Sequence, residues 1–194
     1  RLVQSKMDNK PALAHRQIVV GLTGGIACYK TADLVSKLVQ CECKVQVVMT
    51  SAAAKFMTPL TFESLTGRAV YDSQWAFFEE RDPQHIRIAK QADLMIIAPC
   101  TMNMLAALAN GFTDDPVSLV AAAIDKKNIP VILAPSMNST MLQQNSTQRN
   151  LNTLQDDGFT VVHGTDGWQA CKTQGHGRMA EPKTLLNAIE SILT

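Results

Sequence analysis

The chain lacks any apolar run long enough to span a membrane: polar or charged side chains break every hydrophobic stretch well short of about 20 residues. Its opening, RLVQSKMDNKPALAHRQ, has no apolar core of the kind a signal peptide carries. Residues 1–16 therefore read as a flexible polar leader, ahead of a domain covering 17–194. An excess of charge is missing too, since 18 Lys+Arg against 17 Asp+Glu leave a formal net charge of +1. That excludes the strong field that would draw nucleic acid or an anionic membrane surface. No two cysteines have C-x-x-C spacing, and five is an odd number in a chain too large to need staples. Reduced thiols and a cytoplasmic location are expected. Cys41 and Cys43 stand two apart at the start of an expected strand, on one face, and need not be paired. His163 and His176 do not complete a closed zinc set with Cys171, so no metal is expected.

What is present is core material and a regular alternation. Hydrophobic residues make up 46% of the 194, enough to fill one domain, and no repeat or linker divides it. QIVVGL (17–22), KVQVVMT (44–50), DLMIIAP (93–99), IPVILAP (129–135) and FTVVH (159–163) read as buried strands. Helical spacing follows in 26–40, in SAAAKF and PLTFESLTG, around 103–110 and 146–157, and in the closing PKTLLNAIESIL. Strands alternating with helices predict one doubly wound α/β domain. Its sheet is mostly parallel with helices on both faces, of the Rossmann or flavodoxin-like type.

In such sheets ligands bind at the carboxyl ends of the strands, and every unusual stretch lies there: TGGIA, MTSAA, APCTMNM and APSMNSTM. The first offers small residues at a helix start, where backbone N–H groups can hold a phosphate; tight strand–helix packing explains the glycines equally well. Neither G-x-G-x-x-G nor G-x-x-x-x-G-K-[ST] occurs. A dinucleotide site also wants an acidic residue after the second strand, and the chain has Met49, Thr50 and Ser51 there instead. A mononucleotide such as FMN fits better. Thr101 and Asn103 would face a flavin's polar edge, although an Asn and Met at a helix start also serve as cap and core filler. The stretch ACKTQGHGRM (170–179) offers a cysteine, a histidine and an arginine among glycines, open to reading as metal site, redox thiol or surface loop.

Five stretches in order carry a resemblance: TGGIACYK, MTSAAAKFMTPLTFESLTG, HIRIAKQADLMIIAPCTMNMLAALANG, APSMNSTM and ACKTQGHGRMAEP. Together they resemble the flavin-dependent cysteine decarboxylases, over about 18–193, and most closely the branch acting in coenzyme A biosynthesis. The P-x-M-N-x-x-M and A-C-x-x-x-G-x-G-x-M stretches are its specific parts. The resemblance implies FMN as cofactor and 4'-phosphopantothenoylcysteine as substrate. It implies a homotrimer or multiple of trimers with flavin sites near subunit boundaries, and a phosphopantothenate–cysteine ligase as fused domain or separate protein. His85 corresponds to the family's base for the substrate thiol or adjacent C–H, Asn138 to the residue holding the carboxylate, and Met141 to the methionine beside it. Cys171 corresponds to the cysteine that protonates the intermediate. Gly25, Ile26, Ala27, Thr50, Thr101, Met102, Asn103, Met104 and Ser136 fall where the family contacts flavin, and Lys30 near the active site, where a solvated role is the alternative.

Arg178 is suited to an anionic substrate group, and Gly175 and Gly177 would hinge the loop that carries Cys171. His163 and His176 read as structural. The chain departs from the family where Leu142 replaces a tryptophan, where Met102 stands in TMN, and where alanines fill MLAALANG; these touch substrate shape more than chemistry. The alternatives are a peptidyl-cysteine decarboxylase that stops at the enethiol and a non-catalytic flavin-binding regulatory subunit.

Overall fold

Strand β1 (Gln17–Leu22) is buried from its second residue onward, as its β-branched side chains suit. Beside it lie β2 (Lys44–Met49), β3 (Leu94–Cys100), β4 (Val131–Pro135) and a short β5 (Thr160–Val161). All neighbours in this sheet run parallel. Their order is β2-β1-β3-β4-β5, the flavodoxin-like arrangement, in which strand order reverses between β1 and β3. The computed structural model describes residues 13–75, 83–165, 167–168 and 174–194.

Eight helices complete the described residues: α1 (Cys28–Gln40), α2 (Pro59–Thr66), α3 (Gln84–Gln91), α4 (Met102–Asn110), α5 (Pro116–Ala123), α6 (Ser139–Gln143), α7 (Asn145–Asp156) and α8 (Pro182–Leu193). Side chains alternate across the sheet with the two-residue strand period. Ile18, Val20 and Leu22 face the layer built by α1, α2 and α8. Val19, Met95, Ile97 and Leu133 face the layer of α3, α4, α5 and α7. Helix α1 commits Leu34, Val35 and Leu38, all fully buried, to the first layer, each contributing about 1.5–3 kcal/mol of burial.

Four expectations need correction. The domain begins before residue 17: Leu13 is fully buried, His15 N–H donates to Glu42 O at 2.9 Å, and Lys44 N–H donates to Arg16 O at 2.8 Å. Helices α3 and α5 formed where no helical spacing was read. Helix α5 is apolar except for Ser118 (PVSLVAAA) and opens on Asp115, whose side chain accepts from Val117 and Ser118 N–H. The last strand is cut to Thr160–Val161 because it lies at the sheet edge, paired only with β4. The segment after it contains an antiparallel pair, β6 (Gly167–Trp168) and β7 (Gln174–Gly175). Cys28, Cys41, Cys43 and Cys100 are buried and in no disulfide. Among the described residues no helix is long and apolar enough to cross a membrane.

Candidate active site

The reversal point between β1 and β3 is closed by a threonine that the sequence reading passed over. Thr23, 2% exposed, donates its hydroxyl to Pro99 O at 2.6 Å and accepts Thr101 N–H at 3.1 Å. Thr31 adds a bond from its hydroxyl to Ala98 O at 2.8 Å. The two strand ends are thereby fixed side by side. Between them the chain turns through Gly24 and Gly25 into α1. A Cβ on Gly24 would lie 2.6 Å from Ala52 Cβ, so glycine is what lets the loop after β2 approach. A Cβ on Gly25 would meet only Pro99 Cγ at 3.8 Å and Thr101 Cγ2 at 3.9 Å. Among the described residues the amides of Gly25, Ile26 and Ala27 give no hydrogen bond to the protein. Uncommitted N–H groups at a helix start are the donor set a phosphate needs.

The end of β2 is less open than expected. Thr50 is 8% exposed, and its Oγ1 accepts Ala53 N–H at 3.1 Å, closing a short 3-10 turn. Ser51, beside it, is the exposed hydroxyl. At the end of β3, Thr101 caps α4 by accepting Met104 N–H. Met102 is half-buried and Asn103 exposed at that helix start. Met104 is corrected from a flavin contact to a core residue: it is 1% exposed, packs with Leu105, Leu151 and Ile97 in the second layer, and has its N–H taken by the cap.

Strand β4 ends next to β3, where Ser136 N–H donates to Cys100 O at 3.0 Å. Two residues on, Asn138 Oδ1 accepts Thr140 N–H at 2.8 Å and caps α6. With the oxygen so engaged, the NH₂ end of the amide is its donor end. Met141, on α6, is 43% exposed. Onto this turn docks the loop that opens after β5. Its neck is a bridge between His163 and Met179, and a Cβ on Gly164 would lie 2.1 Å from Arg178 O. Met137 N–H donates to Gly177 O at 2.9 Å, and a Cβ on Gly175 would meet Ser139 Cβ at 3.2 Å. The two glycines expected as hinges are thus docking points against the Asn138 turn, and Gly177 also needs its φ of 120°. A cavity of about 160 Å³ remains under the neck, lined by Pro135, Leu142, His163, His176 and Arg178. Leu142 therefore walls this space.

Lys30 is not solvated. Its side chain is 9% exposed and its Nζ donates to Glu181 Oε1 at 2.6 Å, the same oxygen that takes Arg178 at 3.2 Å. His85 sits half-buried in the first turn of α3, the end nearer the carboxyl edge. No hydrogen bond joins it to the glycine turn or to Asn138 within one chain. Among the described residues the neighbouring Gln84 keeps a buried Oε1 without a partner. Cys171 lies outside the described residues, between β6 and β7.

Burial holds the structural thiols in their neutral form. It pushes Cys43 up to about 12 and Cys100 higher still. Cys28 is raised as well, and its thiol donates to Thr23 O at 3.3 Å, inside the glycine turn.

Known proteins share this arrangement. The chain is 42% identical over 179 residues to the coenzyme A biosynthesis bifunctional protein CoaBC of Haemophilus influenzae. That match covers 92% of this chain and 44% of the relative, so the chain spans less than half the length of the curated relative it matches. The solved FMN-dependent cysteine decarboxylase SpaF is 26% identical with a TM-score of 0.78, over 93% of this chain and 97% of its own. A mutant PPC decarboxylase complexed with pantothenoylaminoethenethiol shares the fold, with a TM-score of 0.82 at 24% identity over 92% and 98% of the two chains. Residues 6–194 match the sequence profile described as Flavoprotein. The chain belongs to the flavoprotein family.

Proposed function

We propose that the chain decarboxylates 4'-phosphopantothenoylcysteine to 4'-phosphopantetheine and CO₂, with FMN as cofactor, as a step of coenzyme A biosynthesis. One observation carries the reading: the bond from Met137 N–H to Gly177 O docks Gly177, six residues after Cys171 in sequence, beside the Asn138 turn. The similarity to a coenzyme A biosynthesis protein and to an FMN-dependent cysteine decarboxylase supports it.

The residues at the reversal point fit a flavin mononucleotide. The amides of Gly25, Ile26 and Ala27 and the Ser51 hydroxyl suit its phosphate, Gly25 lies beside Pro99 and Thr101, and Met102, Asn103 and Ser136 are the flavin contacts this reading assigns at the ends of β3 and β4. Carboxylate loss needs an electron sink that side chains do not provide; bound flavin supplies hydride acceptance and return. The remaining work belongs to the chain. His85 takes the thiol proton, the role of a general base. The Asn138 amide holds the carboxylate by neutral donors, which impose no permanent charge against its departure as CO₂. Cys171 delivers the proton that completes the product. Arg178 and Lys30, sharing one Glu181 carboxylate, leave a net positive charge for the anionic end of the substrate.

The same reading makes the protein a cytoplasmic homotrimer, or a multiple of one, working with a phosphopantothenate–cysteine ligase. Ile26, Tyr29 and Leu60, exposed by 58%, 59% and 68% on elements flanking the glycine turn, support an assembly there. It would also bring a neighbouring surface to His85. A peptidyl-cysteine decarboxylase is the second reading, consistent with the likeness to SpaF, an FMN-dependent cysteine decarboxylase.

Product mass after incubation with 4'-phosphopantothenoylcysteine tests both. The wild type should give 4'-phosphopantetheine. Cys171→Ser should still release CO₂ but yield a product lighter by two hydrogens, since serine is a far weaker acid than a thiol of pKa about 8.5. No CO₂ from this substrate, with CO₂ from a cysteine-terminated peptide, would replace the first reading by the second.

A further inference from the structure

Lys30 is the third residue of α1, and its ammonium is withdrawn from water with only 9% of the side chain exposed. A cation that deep needs a counter-charge, and the one it has comes from 151 residues away: Glu181 Oε1, at 2.6 Å. The position of Glu181 is itself fixed, because it is the residue before α8, whose Leu185 and Ile189 are fully buried in the first layer. The same oxygen accepts Arg178 Nη2 at 3.2 Å. Arg178 closes the loop's neck, where its carbonyl lies against Gly164 and the next residue, Met179, is 2% exposed and bridged to His163. One carboxylate thus joins the helix that opens from the glycine turn, the last helix, and the base of the loop.

We propose that Glu181 is a positioning residue: by bridging Lys30 and Arg178 it clips the base of the 164–178 loop to the start of α1. The loop is thereby held in register with the Asn138 turn when the final proton is delivered. This rests on the function proposed above for the catalytic consequence, though not for the clip itself. Half of Glu181 is exposed, yet the pair is not an ordinary surface contact, since the ammonium it neutralises is buried. Without the charge, Lys30 must leave its site to find water, and Arg178 loses the partner that directs it toward the cavity shared with His163 and His176.

Glu181→Gln in the FMN-loaded protein tests this, because glutamine keeps the size and an acceptor oxygen while removing the charge. Hydrogen exchange is read at Gly167, Trp168, Gln174 and Gly175, the paired residues of β6 and β7, with β1 as reference. The hairpin should exchange about tenfold faster while β1 keeps its protection. The share of product lighter by two hydrogens, measured against total CO₂ released, should rise, the signature of a loop out of place. Unchanged hairpin exchange overturns the clip. Equal acceleration of hairpin and β1 overturns it too, since Glu181 would then only add global stability. Faster hairpin exchange with an unaltered product overturns the positioning role. If the wild type releases no CO₂ from 4'-phosphopantothenoylcysteine, the proposed function fails, and the exchange comparison still decides whether Glu181 holds the loop.

Discussion

Gly24 and Gly25 are adjacent, yet adding one methyl to each should have opposite effects. At Gly25 the new carbon meets only Pro99 Cγ at 3.8 Å and Thr101 Cγ2 at 3.9 Å, ordinary contact distances for carbon. Its φ is not among the positive ones, so alanine fits the backbone, and the unfolded chain loses freedom. Gly25→Ala should leave the apoprotein as stable as the wild type or more so, by about 0.4–1 kcal/mol. The methyl nevertheless occupies the space that the opening amides of α1 face. Losing one charge-assisted hydrogen bond to phosphate costs about 1.5–3 kcal/mol, so FMN should bind about ten- to 150-fold more weakly. At Gly24 the carbon would stand 2.6 Å from Ala52 Cβ and 3.2 Å from its carbonyl carbon. The loop after β2 must retreat, and Gly24→Ala should destabilise the apoprotein itself by about 1–3 kcal/mol. Urea unfolding of the two apoproteins and fluorescence titration with FMN separate the cases. A Gly25→Ala protein that binds FMN with wild-type affinity would refute the placement of the phosphate.

Three further outcomes can be measured. His85→Asn should retain FMN but release CO₂ about 10²–10⁴-fold more slowly, as loss of a general base does; an unchanged rate would make His85 structural. Gly164→Ala puts a carbon 2.1 Å from Arg178 O, so the neck must open at about 1–3 kcal/mol. The urea midpoint should fall, with CO₂ still released and reduction lost, whereas an unchanged midpoint would show that the neck is not closed. The folded state keeps the Cys43 proton up to about 12 while the unfolded chain releases it near 9.0. That stability is present below the lower value and lost as pH rises toward the higher. The urea midpoint should therefore hold to about pH 8.5 and fall above it, with a shallower descent in Cys43→Ala; an equally steep descent there would assign the loss to other groups.

The alternation of apolar runs made the sheet legible, because a strand buried on both faces must be apolar, as β3, β4 and all of β1 after Gln17 are. Helix α5 was not legible: a helix wedged against the sheet at Val117 and Val120 shows no polar face to reveal its period. The β6–β7 hairpin escaped for another reason, since two-residue strands carry no alternation. Among the candidate site residues, those at strand ends were readable as a set because α/β topology gathers such ends on one edge. Met104 was misjudged because sequence order does not tell which side of a helix start faces inward.

The sequence by itself determined the fold class, the edge where a ligand would sit, and a cofactor smaller than a dinucleotide, since each follows from local pattern or residue type. Only the tertiary structure decided which residues hold that edge together. Thr23 grips Pro99 and Thr101 across 76 and 78 positions, and Lys30 reaches Glu181 across 151. Gly164, Gly175 and Gly177 matter for what lies against them: Arg178, Ser139 and the Met137 amide. Contacts of this kind depend on the close packing of segments remote in the chain, and no local periodicity encodes them.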